Sequence, residues 1–236
     1  METIFVNLIF KIHNCRRTKC INFFLKGRDP ISSLTHFIGA CLSLLATIIL
    51  VFQSVTLQET SLLMIVSVSV FGLSLIALYS ASSYYHFLKG TPEQELFFRK
   101  VDHAMIYVLI AGSYTPICLN FMEKKEGIIF VTAIWIVAFI GIIIKIFWMD
   151  APRWLSTSIY LLMGWAIVFD INAFNSIPKD CLRLLIMEGV SYSIGAIIYI
   201  IKKPNISPEF GFHEIFHIFI MIGSLFHFLA VLLYVL

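Results

Sequence analysis

Long apolar runs separated by short polar breaks set the pattern of this chain. Seven can be marked, at about 31–52, 61–88, 101–121, 127–149, 154–174, 181–201 and 212–236. Each reaches the roughly 20 residues that a helix needs to cross a hydrocarbon core of about 30 Å. None alternates apolar and polar residues as a barrel strand does. The pattern predicts an all-α, polytopic membrane protein, a seven-transmembrane-helix bundle over 31–236 behind a basic segment, 1–30. The breaks are short, so neighbouring helices run antiparallel, and the second run is long enough to tilt or to project from the bilayer.

Composition agrees with the pattern. Of 236 residues, 59% are hydrophobic and 13% charged, and the mean hydropathy is +0.91, which leaves too little polar surface to coat a soluble globule. The net charge of +3 is scattered through the breaks, so no nucleic-acid surface is expected. The cysteine count is odd, and Cys41, Cys118 and Cys181 lie in or at the ends of apolar runs, where they read as packing residues rather than a disulfide framework. Met1 to Phe10 is apolar but short and lacks signal-peptide features, which suggests an interfacial helix. His13, Cys15 and Cys20 beside it lack a fourth ligand or a paired C-x-x-C, so they are assigned no zinc site.

Charge placement gives the orientation. Thirteen of the seventeen Lys and Arg residues fall before the first run, in the breaks on that side or, for Lys145, at the run end beside one, and only Lys124, Lys125, Lys179 and Arg183 fall opposite. The positive-inside rule then sets the N-terminus in the cytoplasm and, after seven crossings, the C-terminus outside.

Ionisable residues within such helices are costly and mark functional positions. His213-Glu-Ile-Phe-His217 opens the last run. Residues four apart share a helix face, so two imidazoles there can grip one metal ion, although such a pair can equally hydrogen-bond a neighbouring helix. Depth brings in further groups. His86 near the inner end of the second helix, Asp102 near the inner start of the third, and His213 and His217 all lie within about two turns of the cytoplasmic boundary. Three imidazoles fit a Zn²⁺ site whose fourth position is open to water, and Asp102 can orient or deprotonate that water. Ser82, one turn from His86 on the same face, can orient the imidazole or donate to an oxyanion, or simply bond its own backbone. His227 lies about 15 Å beyond His217 along the axis and is excluded from the same ion. His103 and His36 read as packing or supporting residues. Glu188 sits in the outer half of the sixth helix, either hydrogen-bonded or facing a wet cavity, and Tyr160, Asp170, Tyr192 and Tyr199 are further polar groups able to line one.

These residues also carry a family resemblance. Ser82-Ser-Tyr-Tyr-His86, Asp102-His-Ala-Met-Ile-Tyr-Val-Leu-Ile-Ala-Gly-Ser-Tyr-Thr-Pro116 and His213-Glu-Ile-Phe-His217 resemble the signature blocks of the hemolysin III family. That is the bacterial branch of the progestin and adiponectin receptor family, related to the alkaline ceramidases. The resemblance runs from about Asp29 to Leu236. It implies an intramembrane zinc on His86, His213 and His217, a water bridged to Asp102, and Ser82 in the same site. Two places depart from the family pattern. Asp29, Ser32 and Thr35-His36 stand where Glu, Asn and Thr-His are usual, which weakens the case for a polar network around the first helix. Glu188-Gly189 replaces a Gly-Gly pair, which alters the outer cavity.

Three functions compete. The first is a zinc-dependent hydrolase of lipid amides or esters in the plasma membrane, with an acyl-chain substrate or product in the bundle and membrane lipids as its partners. The second is a receptor-like or membrane-homeostasis protein with structural zinc. The third is a pore-forming haemolysin, for which the sequence offers no amphipathic pore-lining periodicity.

Overall fold

Every backbone group that enters hydrocarbon must find its hydrogen bond within the protein, and the chain meets this demand with helices. The computed structural model describes residues 23–56, 61–169 and 175–236. It contains α1 (Pro30–Thr56), α2 (Leu62–Phe87), α3 (Pro92–Phe121), α4 (Lys124–Phe147), α5 (Arg153–Gly164), α6 (Lys179–Ile201) and α7 (Phe212–Ala230). No strand occurs among the described residues. All but α5 are long and apolar enough to span a membrane, α7 together with the π-helical turn Val231–Val235 that continues it. The N-terminal segment with His13, Cys15 and Cys20, and Asp170 in the fifth run, lie outside the described residues.

Helices α1 to α4 pack in succession, α6 packs on α7, and α7 returns to α1, while α5 leans on α6 and α3. Close approach depends on small residues: a Cβ on Gly112 would meet the Ser74 side chain, and one on Gly223 would meet the Tyr192 ring. Such contacts matter in lipid, where helix association relies on packing rather than on burial of apolar surface. Large apolar side chains such as Phe52, Leu62, Phe139 and Phe147 point outward, toward the acyl chains. Ser32, Ser82, His36, His86, His217 and His227 are buried between helices.

Two elements differ from the apolar runs. Helix α3 begins at Pro92, about two and a half turns before the run that starts at 101. Thr91 caps it by accepting from Gln94 N, the Gln94 side chain accepts from Thr91 N, Pro92 opens the first turn, and Glu93 and Glu95 follow. Together these start a helix irrespective of hydrophobicity. In the fifth run, regular helix ends at Gly164 and a 3₁₀ turn, Ala166–Phe169, follows. The break is repaired from α3: Tyr114 Oη donates to Gly164 O at 2.7 Å and accepts from Ile167 N at 3.3 Å. A lipid-spanning helix tolerates interruption where a neighbour satisfies the freed backbone in this way.

The charge asymmetry makes a testable statement about this bundle. Because Thr91 is a cap, the exposed Glu93 beside it is the better site for a probe. Glu93→Cys should be shielded from an impermeant thiol reagent in intact cells, whereas Gln58→Cys should be labelled. The reverse pattern would invert the orientation and place the histidine cluster in the outer leaflet.

Candidate metal centre and its cavity

His86 lies in the last turn of α2, and His213 and His217 occupy the first two turns of α7. The fold brings these ends together, so that one ligand nitrogen from each histidine lies within 4.8 Å of the others. The Nε2 atoms of His86 and His213 are 3.1 Å apart. Nitrogens at about 2.0–2.1 Å from a tetrahedral ion are separated by roughly 3.3 Å, so the cluster is already near the dimensions of a metal site. His86 and His217 are 4% and 2% exposed. Two imidazoles can share one N–H···N hydrogen bond, but a third nitrogen converging on the same point has no proton left to accept. A metal ion fits this donor set, and the triad can hold one.

The outward nitrogens are held from the start of α1 and the residue just before it. His86 Nδ1 lies 2.9 Å from Asp29 Oδ2, an arrangement in which Nδ1–H donates and the Nε2 lone pair faces the site. Arg28 Nε also donates to Asp29 Oδ2, at 3.1 Å, and backbone bonds from Arg28 and Asp29 to the carbonyls of Phe87 and His86 fasten this segment to the end of α2. Partial burial opposes ionisation of Asp29, but the hydrogen bonds from His86 and Arg28 outweigh it and hold the carboxyl below its ordinary value. Asp29 is thus a carboxylate, the state that orients a ligating histidine. Thr35 Oγ1 lies 3.5 Å from His217 Nδ1, and Ser32 Oγ donates to Glu214 Oε1 at 2.5 Å. Glu214 Oε2 in turn accepts from Gly211 N at the start of α7.

This is a correction. The residues at 29, 32 and 35 weakened the sequence case for a polar network around the first helix, yet the network is built from them. A shorter acid and a hydroxyl substitute because the backbone brings α1 close. The buried face Ser32, His36, Gly39, Ser43 of α1 follows helical spacing and was the available signal. His36 stacks on His217, with ring centroids 3.5 Å apart and planes 11° from parallel. Neither of its nitrogens has a hydrogen-bond partner among the described residues. It supports His217 by contact.

Asp102 stands beside the triad rather than in it. Its carboxylate faces the Ser82 hydroxyl and lies 3.4 Å from His103 Nδ1, which is 2.9 Å from Arg99 O. Asp102, Ser82, His213 and His217 line one end of a cavity of about 210 Å³. Tyr160, Tyr192 and Tyr199 line its walls. The far end reaches Glu188 and His227, whose Oε2 and Nδ1 are 2.7 Å apart. Glu188 therefore both forms a hydrogen bond and faces the cavity. His227 bonds the neighbouring helix α6, far from the triad.

A polytopic helical membrane protein with a buried histidine triad is the class that fold and site define. The family model described as haemolysin-III related matches residues 24–228. The chain is 36% identical over 206 residues to Hemolysin-3 of Bacillus cereus, covering 87% of this chain and 90% of that protein. It is 34% identical over 212 residues to a Hemolysin-3 homolog of Bacillus subtilis (strain 168), covering 89% of this chain and 96% of that protein. The chain belongs to the hemolysin III family.

Metal content measured on purified protein should fall strongly in His213→Ala and His217→Ala and stay near wild type in His227→Ala. Asp29→Asn, which keeps size but weakens the hold on His86, should lower metal affinity roughly tenfold to a hundredfold in competition with a chelator. Equal loss from all three histidine variants would remove the triad as the site.

Proposed function

We propose that this protein is a zinc-dependent hydrolase of lipid amides or esters, working in the plasma membrane on an acyl lipid whose chain occupies the cavity. The observation that carries this reading is the placement of Asp102 and Ser82 beside three converging imidazoles at the head of a cavity walled by apolar and aromatic side chains. An all-imidazole set of three suits Zn²⁺ with its fourth position open. When bound, zinc supplies Lewis acidity and brings the pKa of water toward about 7.

The chain's own residues do the rest. Asp102 takes the proton from the attacking water as its oxygen adds to the acyl carbonyl carbon. It then returns that proton to the departing amine or alcohol as the C–N or C–O bond breaks. Ser82 Oγ–H, no longer needed by a protonated Asp102, is free to donate to the oxyanion. The apolar walls hold the acyl chain and keep bulk water from the reacting centre.

A receptor-like or homeostatic role with structural zinc is the second reading. It is favoured by the way the donors join the end of α2 to the start of α7, since a metal there ties two distant segments together. Lysis, which the relatives' name suggests, has least support, because the bundle interior carries Phe71, Leu75, Leu78 and Tyr79 where a pore would need polar lining.

Asp102→Asn separates the first two readings. It preserves size and one acceptor while removing basicity. On the hydrolase reading, zinc content and thermal stability stay near wild type, and hydrolysis of acyl-amide and acyl-ester lipids by the reconstituted protein drops by about a hundredfold or more. A variant that sheds the metal and unfolds would make Asp102 structural. Wild type without zinc-dependent hydrolysis of any acyl lipid would end the enzyme reading.

A further inference from the structure

Around the triad end of the cavity stand three cations that the mechanism above leaves unused. Arg99 comes from α3, Lys145 from the last turn of α4 and Arg153 from the first turn of α5, and all three line the cavity. Lys145 is 3% exposed. Among the described residues it makes no ion pair; the charges acting on it are Arg99, which repels it, and Asp150. The Asp150 side chain is 91% exposed and meets Arg99 only at 4.0 Å. Arg153 lies over the rings of Tyr199 and Phe212, at 5.1 and 5.8 Å, and among the described residues it makes no ion pair. The contrast is Arg28, which Asp29 and Glu95 match at 3.1 and 3.3 Å.

A lysine that merely obeys the positive-inside rule extends to the interface and is exposed. Lys145 instead points its charge into a cavity. The α4 C-terminus favours a cation through its dipole, but that effect is too small to offset the desolvation of an ammonium. An anion in the cavity would offset it. Asp102 is the acid that lines this end and the exposed Asp150 reaches only Arg99, at 4.0 Å, so three positive groups against two negative leave an excess that favours an anionic ligand. Arg99 precedes Asp102 by three residues, about 4.5 Å along the axis. A phosphate joined to an acyl carbonyl through glycerol is six bonds from it, long enough to bridge neighbouring positions at this end of the cavity.

We propose that Arg99, Lys145 and Arg153 form a phosphate subsite, and that the ligand of the cavity is an acyl lipid with a phosphate in its head, seated so that its carbonyl lies at the metal centre. This deepens the hydrolase reading and relies on it for which bond lies at the metal, but binding alone tests it.

The test uses full-length protein in neutral detergent, with affinities from calorimetry for 1-oleoylglycerol 3-phosphate, uncharged 1-oleoylglycerol and inorganic phosphate. Wild type should prefer the phosphate lipid over its neutral counterpart by about tenfold or more, the scale of a charge-assisted hydrogen bond. It should bind inorganic phosphate far more weakly. Lys145→Met should erase most of that preference while leaving 1-oleoylglycerol binding intact, and should raise the melting temperature without ligand, since it removes an unpaired buried charge. Arg153→Gln, at an exposed position, gives a second reading that does not depend on core packing. Equal affinity for the two lipids, or a preference that survives both substitutions, overturns the proposal. So does inorganic phosphate binding as tightly as the lipid. A preserved preference in a protein that hydrolyses nothing would sink the hydrolase reading alone.

Discussion

Water is absent from the hydrocarbon layer, so any polar group carried into it must be answered by another group of the same protein. That constraint sorts this molecule. Side chains with nothing to hydrogen-bond, such as Phe52, Phe139 and Phe147, face outward, and serines, histidines and acids are gathered between helices. Each inner polar group then needs a matched partner, and the matches fix how helices sit. Asp29 and His86 join the start of α1 to the end of α2. Ser32 and Glu214 join α1 to α7, Tyr79 and Ser224 join α2 to α7 at 2.7 Å, and Glu188 and His227 join α6 to α7. At the triad three imidazole nitrogens converge on one another, a set in which a single shared proton cannot match all three and which a metal ion would fit.

Much of this was legible because two periodicities act together. The 3.6-residue repeat places His213 with His217 and Ser82 with His86, and counting depth along antiparallel helices puts Asp102 at the same level. Depth also separates His227 from the cluster, and the structure sends it to Glu188. The features that were not legible depend on neighbours distant in sequence. The repair of α5 at Gly164 comes from Tyr114 on α3. The hold on His86 comes from Asp29, fifty-seven positions earlier, in a stretch that hydropathy reads only as the edge of a run. The start of α3 was missed for a different reason, since a capping box starts a helix in polar sequence where an apolar window sees nothing.

Lys145 has a role that the logic of orientation does not see. Counted among loop cations, it supports an inner end for α4. In three dimensions the same charge is buried against a cavity. The rule for topology sums charges near helix ends and is indifferent to which way each side chain points, whereas the energetics of a site depend on little else.

The structural and the hydrolytic readings of a metal at this triad are therefore compatible, because they draw on different residues. Tying α2 to α7 requires the three imidazoles, with Asp29 and Thr35 steadying two of them from outside. Those contacts would serve a receptor as well as an enzyme. Asp102 and Ser82 add nothing to that tie: they belong to the cavity face, direct their polar groups at each other, and stand outside the donor set. A carboxylate is expensive to keep in such a place. Through Ser82, Asp102 joins α3 to α2, but a neutral group could do that at less cost, and on the proposed hydrolase reading its place at the head of the cavity suits a proton acceptor.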